Sequence, residues 1–353
     1  MTTPHEVRFG IVGCGMISEF QADAIGKIPG ARVTAFCDVL EAAARAKAAK
    51  FGGKVFTDFS AMVLDPEVDA VTICTPSGAH LEPALAAAGA RKHVMVEKPI
   101  EITVERADRI IEACRRGGVK LGAIFPRRFF DTSLLLKEAI DGGRFGTIVL
   151  ADVYIKWFRT QEYYDQGGWR GTYRLDGGGA LMNQGIHGID LIQWLLGGIE
   201  SVSAFTATRA HQRIEVEDAA VAAVRFKCGA LGAIEGTTGA WPGTKIRIEI
   251  SGDRGTVVME DETFLAWKFQ DEGPGDGDVR RRFGPREGLP GGGAGDPKAI
   301  DSEGHRRQFE DFVAAIREGR SPRIDGAEAR AAVDVITSIY RSAREGRVVR
   351  IGP

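Results

Sequence analysis

The stretch Phe9-Gly10-Ile11-Val12-Gly13-Cys14-Gly15-Met16-Ile17-Ser18 decides the fold. Its apolar head belongs to Val7–Val12, which reads as a buried strand, and Ile17–Ile28 behind it has helical periodicity. Gly13 and Gly15 permit a tight turn and a close approach of main chain to a pyrophosphate. The helix start at Met16 and Ile17 then offers unpaired N–H groups and a positive dipole end to that anion. Ser18 takes the place of a third glycine and is small enough for close helix–strand packing.

Working outward, Val33–Cys37, Ala70–Cys74, His93–Val96 and Lys120–Ala123 read as further buried strands. Between them Glu41–Phe51, Leu81–Ala90 and Val104–Arg116 have helical character. This alternation predicts a doubly wound α/β domain over residues 1–125, a parallel sheet with helices on both faces. Asp38 ends the second strand about 20 residues after the glycines, where a carboxylate accepts from both ribose hydroxyls and repels a 2′-phosphate. Taken alone it would read as a helix N-cap. With the glycine turn it predicts NAD rather than NADP. Thr75-Pro76-Ser77-Gly78-Ala79-His80 follows another strand at the carboxyl edge where such sheets bind ligands, which makes Thr75, Pro76 and His80 candidate cofactor neighbours. A plain turn with Ser77 capping the next helix fits the same spacing.

Glu97-Lys98-Pro99 ends the next strand. A lysine there is placed to exchange a proton with an alcohol or carbonyl, and the proline biases it toward an extended or cis-linked conformation. A nearby positive nicotinamide would disfavour its ammonium form. By itself Lys98 would pass for a surface lysine.

After about Pro126 the pattern changes. A helix at Ser133–Ile140 is followed by strand-like runs at Thr147–Phe158, Ser201–Arg209, Glu217–Phe226, Ala230–Thr238, Thr244–Ser251 and Thr256–Glu260. They predict an α+β domain over residues 126–353, built on a large open, mostly antiparallel sheet. Lys245–Ile250 alternates strictly, so one of its faces is wet; Ala219–Val224 does not, which predicts burial on both faces there, one of them by another subunit. Asp271–Pro297 is rich in Gly and Pro and reads as a mobile loop, with helices returning at Arg306–Glu318 and Ala327–Arg344.

The second domain supplies context for Lys98. Gly177-Gly178-Gly179 leads into Ala180-Leu181-Met182-Asn183-Gln184-Gly185-Ile186-His187-Gly188-Ile189-Asp190. Asn183 and His187 share a helix face, with Asp190 one turn on. A histidine there can share acid/base work, oriented by a neighbouring amide or carboxylate. A structural histidine fits equally. Upstream, Arg159, Tyr163, Trp169 and Arg170 combine guanidinium forks with aromatic faces and suit a carbohydrate, above all a carboxylated or phosphorylated one. A self-packed loop is the rival reading, and Arg127, Arg128 and Trp241 are weaker candidates.

The 353 residues carry 46 basic and 48 acidic side chains, a formal charge of −2, which gives no field for nucleic acid or anionic membrane. No apolar run approaches the roughly 18 residues of a membrane span. The polar start leads directly into a strand, so no leader peptide is expected. Five widely spaced cysteines, without a C-x-x-C pair, point to reduced thiols in the cytoplasm and no metal site.

These motifs in this order resemble the glucose–fructose oxidoreductase / inositol dehydrogenase / rhizopine-catabolism family, Gfo/Idh/MocA. The resemblance covers nearly the whole chain. It implies a Rossmann domain and an open-sheet domain that mediates homodimers or homotetramers. It also implies NAD(P)-dependent oxidation or reduction of sugars, cyclitols or their derivatives, with Lys98 and His187 catalytic. Many members carry aspartate where this chain has Asn183; an amide cannot exchange a proton at neutral pH, so Asn183 is expected to bind or orient substrate. Met182-Asn183-Gln184-Gly185-Ile186-His187 resembles the subgroup of nucleotide-sugar uronate dehydrogenases. The expectation is hydride transfer between NAD, held at Gly13, Gly15, Met16, Ile17, Asp38, Thr75, Pro76, His80, Glu97 and Lys98, and a secondary hydroxyl of a sugar, sugar acid or cyclitol. The rivals are a non-catalytic NAD(P) or metabolite sensor on the same fold and a keto-sugar reductase. The catalytic reading requires Lys98 and His187 to converge beside the redox ring.

Overall fold

In the computed structural model, which describes residues 6–166, 168–285 and 303–352, strand β1 (Val7–Val12) is buried along almost its whole length. That explains its continuous apolar run: a central parallel strand is covered on both faces. The chain continues through α1 (Met16–Gly26), β2 (Ala31–Cys37), α2 (Glu41–Phe51), β3 (Lys54–Phe56), α3 (Phe59–Met62), β4 (Ala70–Ile73), α4 (Leu81–Gly89), β5 (His93–Val96), α5 (Val104–Gly117) and β6 (Leu121–Ala123). The strands form a six-stranded parallel sheet in the order β3-β2-β1-β4-β5-β6. The order reverses between β1 and β4, which opens a crevice beyond the carboxyl ends of those strands.

The chain divides into two compact units, one of residues up to 126 and one beginning at Arg127. Residues 303–333 group with the first unit, whereas the sequence reading placed everything after 125 in the second domain. The reason is apolar burial. Helix α10 (Glu303–Glu318) sets Phe309 and Phe312 against Phe9, with ring centroids 5.8 and 6.4 Å away, in a core shared with Val7, Ala24 and Ile28.

The second unit contains α6 (Asp131–Asp141), β7 (Ile148–Lys156), α7 (Gln161–Asp165), a π-helical turn (Ala180–Gly185), α8 (Ile186–Leu195), β8 (Ile199–Ala207), β9 (Ala219–Phe226), β10 (Leu231–Thr237), β11 (Arg247–Gly252), β12 (Gly255–Glu260), β13 (Thr263–Phe269) and α9 (Asp276–Phe283). Helix α11 (Gly326–Glu345) and β14 (Val349–Arg350) complete the chain. Eight strands run in the order β13-β12-β11-β7-β10-β9-β8-β14, antiparallel except for β7 with β10. Helix α8 lies on β7 through Gly188, where a Cβ would come within 3.1 Å of Val153 and Ile155.

On this chain strand β9 buries Ala220, Ala222, Val224 and Phe226 and exposes Val221, Ala223 and Arg225; the sequence reading expected another subunit to cover one of these faces. One expectation changes. The stretch read as a loop from Asp271 holds helix α9. Its first residue, Asp276, is buried and accepts from Trp267 Nε1 at 2.7 Å, from Arg144 at 2.6 and 2.8 Å and from the Gly273 N–H at 2.7 Å. One carboxylate thus orders a segment poor in apolar groups, and the Arg144 guanidinium holds its pKa well below the usual range. Residues 286–297 of that loop lie outside the described residues. Among the described residues no helix is long and apolar enough to cross a membrane.

Candidate active site

The two glycines of the first turn have different tasks. Gly13 sits at φ +90°, and a Cβ there would stand 2.7–2.8 Å from main-chain atoms of Cys74 and Thr75. It lets the end of β1 lie against the end of β4. Gly15 precedes α1 at φ −71°, supplies no side-chain cap, and a Cβ there would meet nothing within 4 Å. The first N–H groups of α1, at Met16 and Ile17, therefore keep their capacity for an anion. Ser18 is fully buried and donates to the Gly15 carbonyl at 2.6 Å. Asp38 Oδ2 accepts from the Cys14 N–H at 2.7 Å and Oδ1 from the Leu40 N–H at 2.9 Å. Each oxygen has a second lone pair for a ribose hydroxyl. Open space at the helix end, uncapped donors and a carboxylate braced on the turn fit a dinucleotide.

The next loop is spent largely on itself. Thr75 donates its hydroxyl to the Ala79 carbonyl at 3.0 Å, and Pro76 opens the turn Ser77–Ala79. His80 is buried with Nδ1 2.9 Å from the Pro99 carbonyl and Nε2 3.0 Å from the Thr75 carbonyl. Its ring staples the Thr75 loop to the Lys98-Pro99 loop, so its side chain serves the fold. Burial lowers its pKa, against the pull of Glu101 and those carbonyls.

Glu97 is buried as well. Its Oε1 accepts from Gln21 Nε2 at 2.5 Å and its Oε2 from the Lys98 N–H at 3.1 Å; Gln21 in turn accepts from Thr72. Burial pushes the carboxyl up while the Lys98 charge pulls it down. Helix α1 and strand β4 thereby hold the strand end that carries Lys98, which is half-buried and joined to Pro99 by a cis peptide bond.

In the second unit the π-helical turn and α8 are buried almost throughout. From Ala180 to Leu195 the residues with partial exposure are Asn183, His187 and Trp194. Of the three polar residues expected to share a face, Asn183 and His187 are reached by solvent and Asp190 is buried. Asn183 Nδ2 donates to Asp176 Oδ1 at 2.7 Å, while Asp176 Oδ2 accepts from the Gly171 N–H at 2.8 Å. The amide is thereby oriented, nitrogen toward Asp176 and carbonyl oxygen on the opposite edge. Asp190 is paired with Arg128 through two contacts of 2.8 and 2.6 Å, nearly without exposure, and Arg127 meets Asp261 at 2.7 Å. Both arginines are thus engaged in ion pairs within the fold. Trp241 is 78% exposed.

The upstream candidates do come together. The guanidinium carbons of Arg170 and Arg159 lie 4.5 and 5.6 Å from the Tyr163 ring centre, and Arg170 also lies 5.1 Å from that of Trp169. Gln184, next to Asn183, donates to the Tyr163 hydroxyl at 2.8 Å and accepts from Arg159 at 3.1 Å. The cluster is tied directly to the helical turn bearing Asn183. Gln184, Asp176, Glu217 and Tyr340 had no role in the sequence reading. For the first two, a polar residue inside a glycine-rich, apolar motif was a usable signal; for the last two the sequence holds no local pattern.

Residues 7–125 match the oxidoreductase family with an NAD-binding Rossmann fold, and residues 133–258 match the GFO/IDH/MocA C-terminal domain. The chain is 27% identical to the myo-inositol 2-dehydrogenase of Thermotoga maritima, over 98% of each chain. It is 36% identical to the WlbA dehydrogenase of Bordetella pertussis, whose crystal structure holds NADH and UDP-GlcNAcA, with 100% of both chains covered and a TM-score of 0.90. The corresponding Chromobacterium violaceum dehydrogenase, with the same two ligands, is 32% identical over 100% of this chain and 97% of that one, with a TM-score of 0.88. The chain belongs to the GFO/IDH/MocA family of oxidoreductases and is an NAD-dependent enzyme acting on carbohydrate-like CH–OH groups.

Proposed function

We propose that the protein oxidises a secondary hydroxyl of a nucleotide-linked sugar acid. The observation that carries this reading is the pair of guanidiniums flanking Tyr163 beside Gln184 and Asn183. Arginine forks match a carboxylate in two parallel hydrogen bonds, and a neutral cyclitol has no use for them. The full-length likeness to a dehydrogenase crystallised with NADH and UDP-GlcNAcA supports the same class.

NAD, held by the residues of the glycine turn and Asp38, would supply the hydride acceptor for the substrate carbon. Lys98, as the neutral amine, takes the hydroxyl proton, so that the CH–OH becomes a ketone. Asn183 accepts a hydrogen bond from a substrate hydroxyl through its amide oxygen, and His187 shares the proton work. Tyr163, Trp169 and Arg170 hold the acid end of the sugar, with Arg159, buried and bonded to the Phe158 carbonyl and to Gln184, bracing that cluster. Gly13, Gly15, Met16, Ile17 and Asp38 hold the dinucleotide, with Thr75, Pro76, His80 and Glu97 shaping its edge.

The test is NADH formation with UDP-GlcNAcA, with UDP-GlcNAc, which carries the same diphosphate but no sugar carboxylate, and with myo-inositol. The expected kcat/KM for the acid exceeds that for either of the others by about tenfold or more, and Lys98→Met lowers turnover about 100-fold while NADH still binds. Preference for myo-inositol would reject the sugar-acid reading, and full turnover by Lys98→Met would remove that residue from the chemistry.

The outer face of the large sheet supports self-association. Phe205 is 83% exposed and its register partner Val221 about half exposed, and further along the sheet Leu231 and its partner Leu150 are about half exposed. We infer pairing with further copies of the chain into a dimer or tetramer, since an apolar patch of this kind marks an interaction surface. A monomeric mass by light scattering would refute it. Free thiols at Cys14, Cys37, Cys74 and Cys114, all buried, support a cytoplasmic location, which cell fractionation checks.

A further inference from the structure

Glu217, just before β9, and Tyr340, on α11, have no part in the function above, yet they converge on its helical turn. Glu217 is 7% exposed. Its Oε2 accepts from the Gly179 N–H at 2.9 Å; its Oε1 accepts from the Leu181 N–H at 2.9 Å and from the Tyr340 hydroxyl at 2.8 Å. Its main-chain carbonyl accepts from the Ala180 N–H at 3.0 Å. Tyr340 also has a main-chain hydrogen bond at Met182. The N–H groups that a helical start leaves without partners, from Gly179 through Met182, are therefore met by two side chains and one carbonyl. The glycines make room for this. A Cβ on Gly178 would stand 2.2 Å from the Tyr340 oxygen, and one on Gly179 would stand 1.8 Å from the Glu217 carbonyl oxygen.

We propose that Glu217 and Tyr340 are positioning residues of the active site: together they clamp the start of the π-helical turn and so fix where Asn183 and His187 meet the substrate. This rests on the reading of that helix as the substrate-handling one. The carboxyl is faced by Tyr340 from α11, by Tyr164 from α7 and, beyond Tyr340, by Asp176 from the glycine loop. Burial pushes it up to about 7 against the pull of its hydrogen-bond donors, Tyr340 among them. As a carboxylate it satisfies three donors; once protonated, one oxygen becomes a donor itself and the clamp loosens.

The experiment is kcat against pH, with the best substrate of the panel above, for the wild type, Glu217→Gln, Tyr340→Phe and His187→Ala. Glu217→Gln turns an N–H donor toward an N–H or O–H donor, so its kcat is expected to fall about tenfold or more with NADH binding unchanged. Tyr340→Phe removes one donor from the carboxylate and raises its pKa, so the acid limb of kcat moves to higher pH, and the alkaline plateau falls because the Met182 N–H loses its acceptor. A role confined to stability would lower the folded fraction and leave the limb in place. Loss of turnover in His187→Ala, with an unmoved limb in Tyr340→Phe and wild-type kcat in Glu217→Gln, overturns the clamp alone. Full turnover in His187→Ala overturns instead the role given to the helix. Should Glu217→Gln fail to fold, the limb of Tyr340→Phe decides.

Discussion

Asp176 holds Asn183 by its amide nitrogen, at 2.7 Å, with the other Asp176 oxygen fixed by the Gly171 N–H. The pairing explains in local terms why an amide suits position 183 of this chain. A second carboxylate opposite Asp176, itself 1% exposed, would place two like charges in hydrogen-bond contact within the fold.

Asn183→Asp is therefore expected to lower the unfolding free energy by about 1–3 kcal/mol near neutral pH. The double variant Asp176→Asn/Asn183→Asp restores an amide–carboxylate bond with the roles exchanged, and the amide oxygen now at position 176 can still accept from the Gly171 N–H. Urea denaturation of the two single variants and the double variant checks this as a cycle. Purely additive losses would show that the pair is not coupled.

The unlike surroundings of Gly13 and Gly15 separate scaffold from ligand contact. Gly13→Ala combines a positive φ with main-chain atoms under 3 Å and should cost several kcal/mol, roughly 4 or more. Gly15→Ala meets an allowed φ and open space, so its melting temperature should match the wild type. Its methyl group occupies the approach to the helix end, and NADH affinity should drop about tenfold or more. Differential scanning fluorimetry and NADH fluorescence titration together check both. Unchanged NADH affinity in Gly15→Ala would place the pyrophosphate elsewhere.

Glu217 makes stability depend on pH in an unusual direction. Folding lifts this carboxyl from 4.5 to about 7, chiefly by desolvation. Between those values the folded chain holds more protons than the unfolded one, so this group's contribution to stability falls as pH rises through the window. The drop is at most about 3 kcal/mol. Glu217→Gln lacks it. Measured by denaturant midpoints, the variant should gain on the wild type between about pH 5 and pH 8. A constant difference across that range would show that the carboxyl does not titrate there.

Local signals made the first unit readable. Buried parallel strands are continuous apolar runs, and the glycine turn lies between a strand and a helix, so β1, α1 and the Asp38 edge follow from spacing alone. Lys98 and the Asn183–His187 face were likewise visible, the latter because nearly everything around it is apolar. Glu217 and Tyr340 were not, since their partners lie 38 and 123 positions away in the chain. Helix α9 was missed because one buried carboxylate, rather than an apolar stripe, anchors it. The roles given to His80 and Asp190 looked toward ligand and imidazole. Their side chains meet the Pro99 carbonyl and Arg128, which sequence spacing does not reveal.

The Asp38–Cys14 hydrogen bond bears on any attempt to retool cofactor choice. Exchanging Asp38 for a small or basic residue to admit a 2′-phosphate also removes the acceptor that steadies the glycine turn. A redesign toward NADP would need a side chain at position 38 that still reaches the Cys14 amide, such as serine or asparagine, with the new cation introduced at Val39 or Leu40, both of which face solvent.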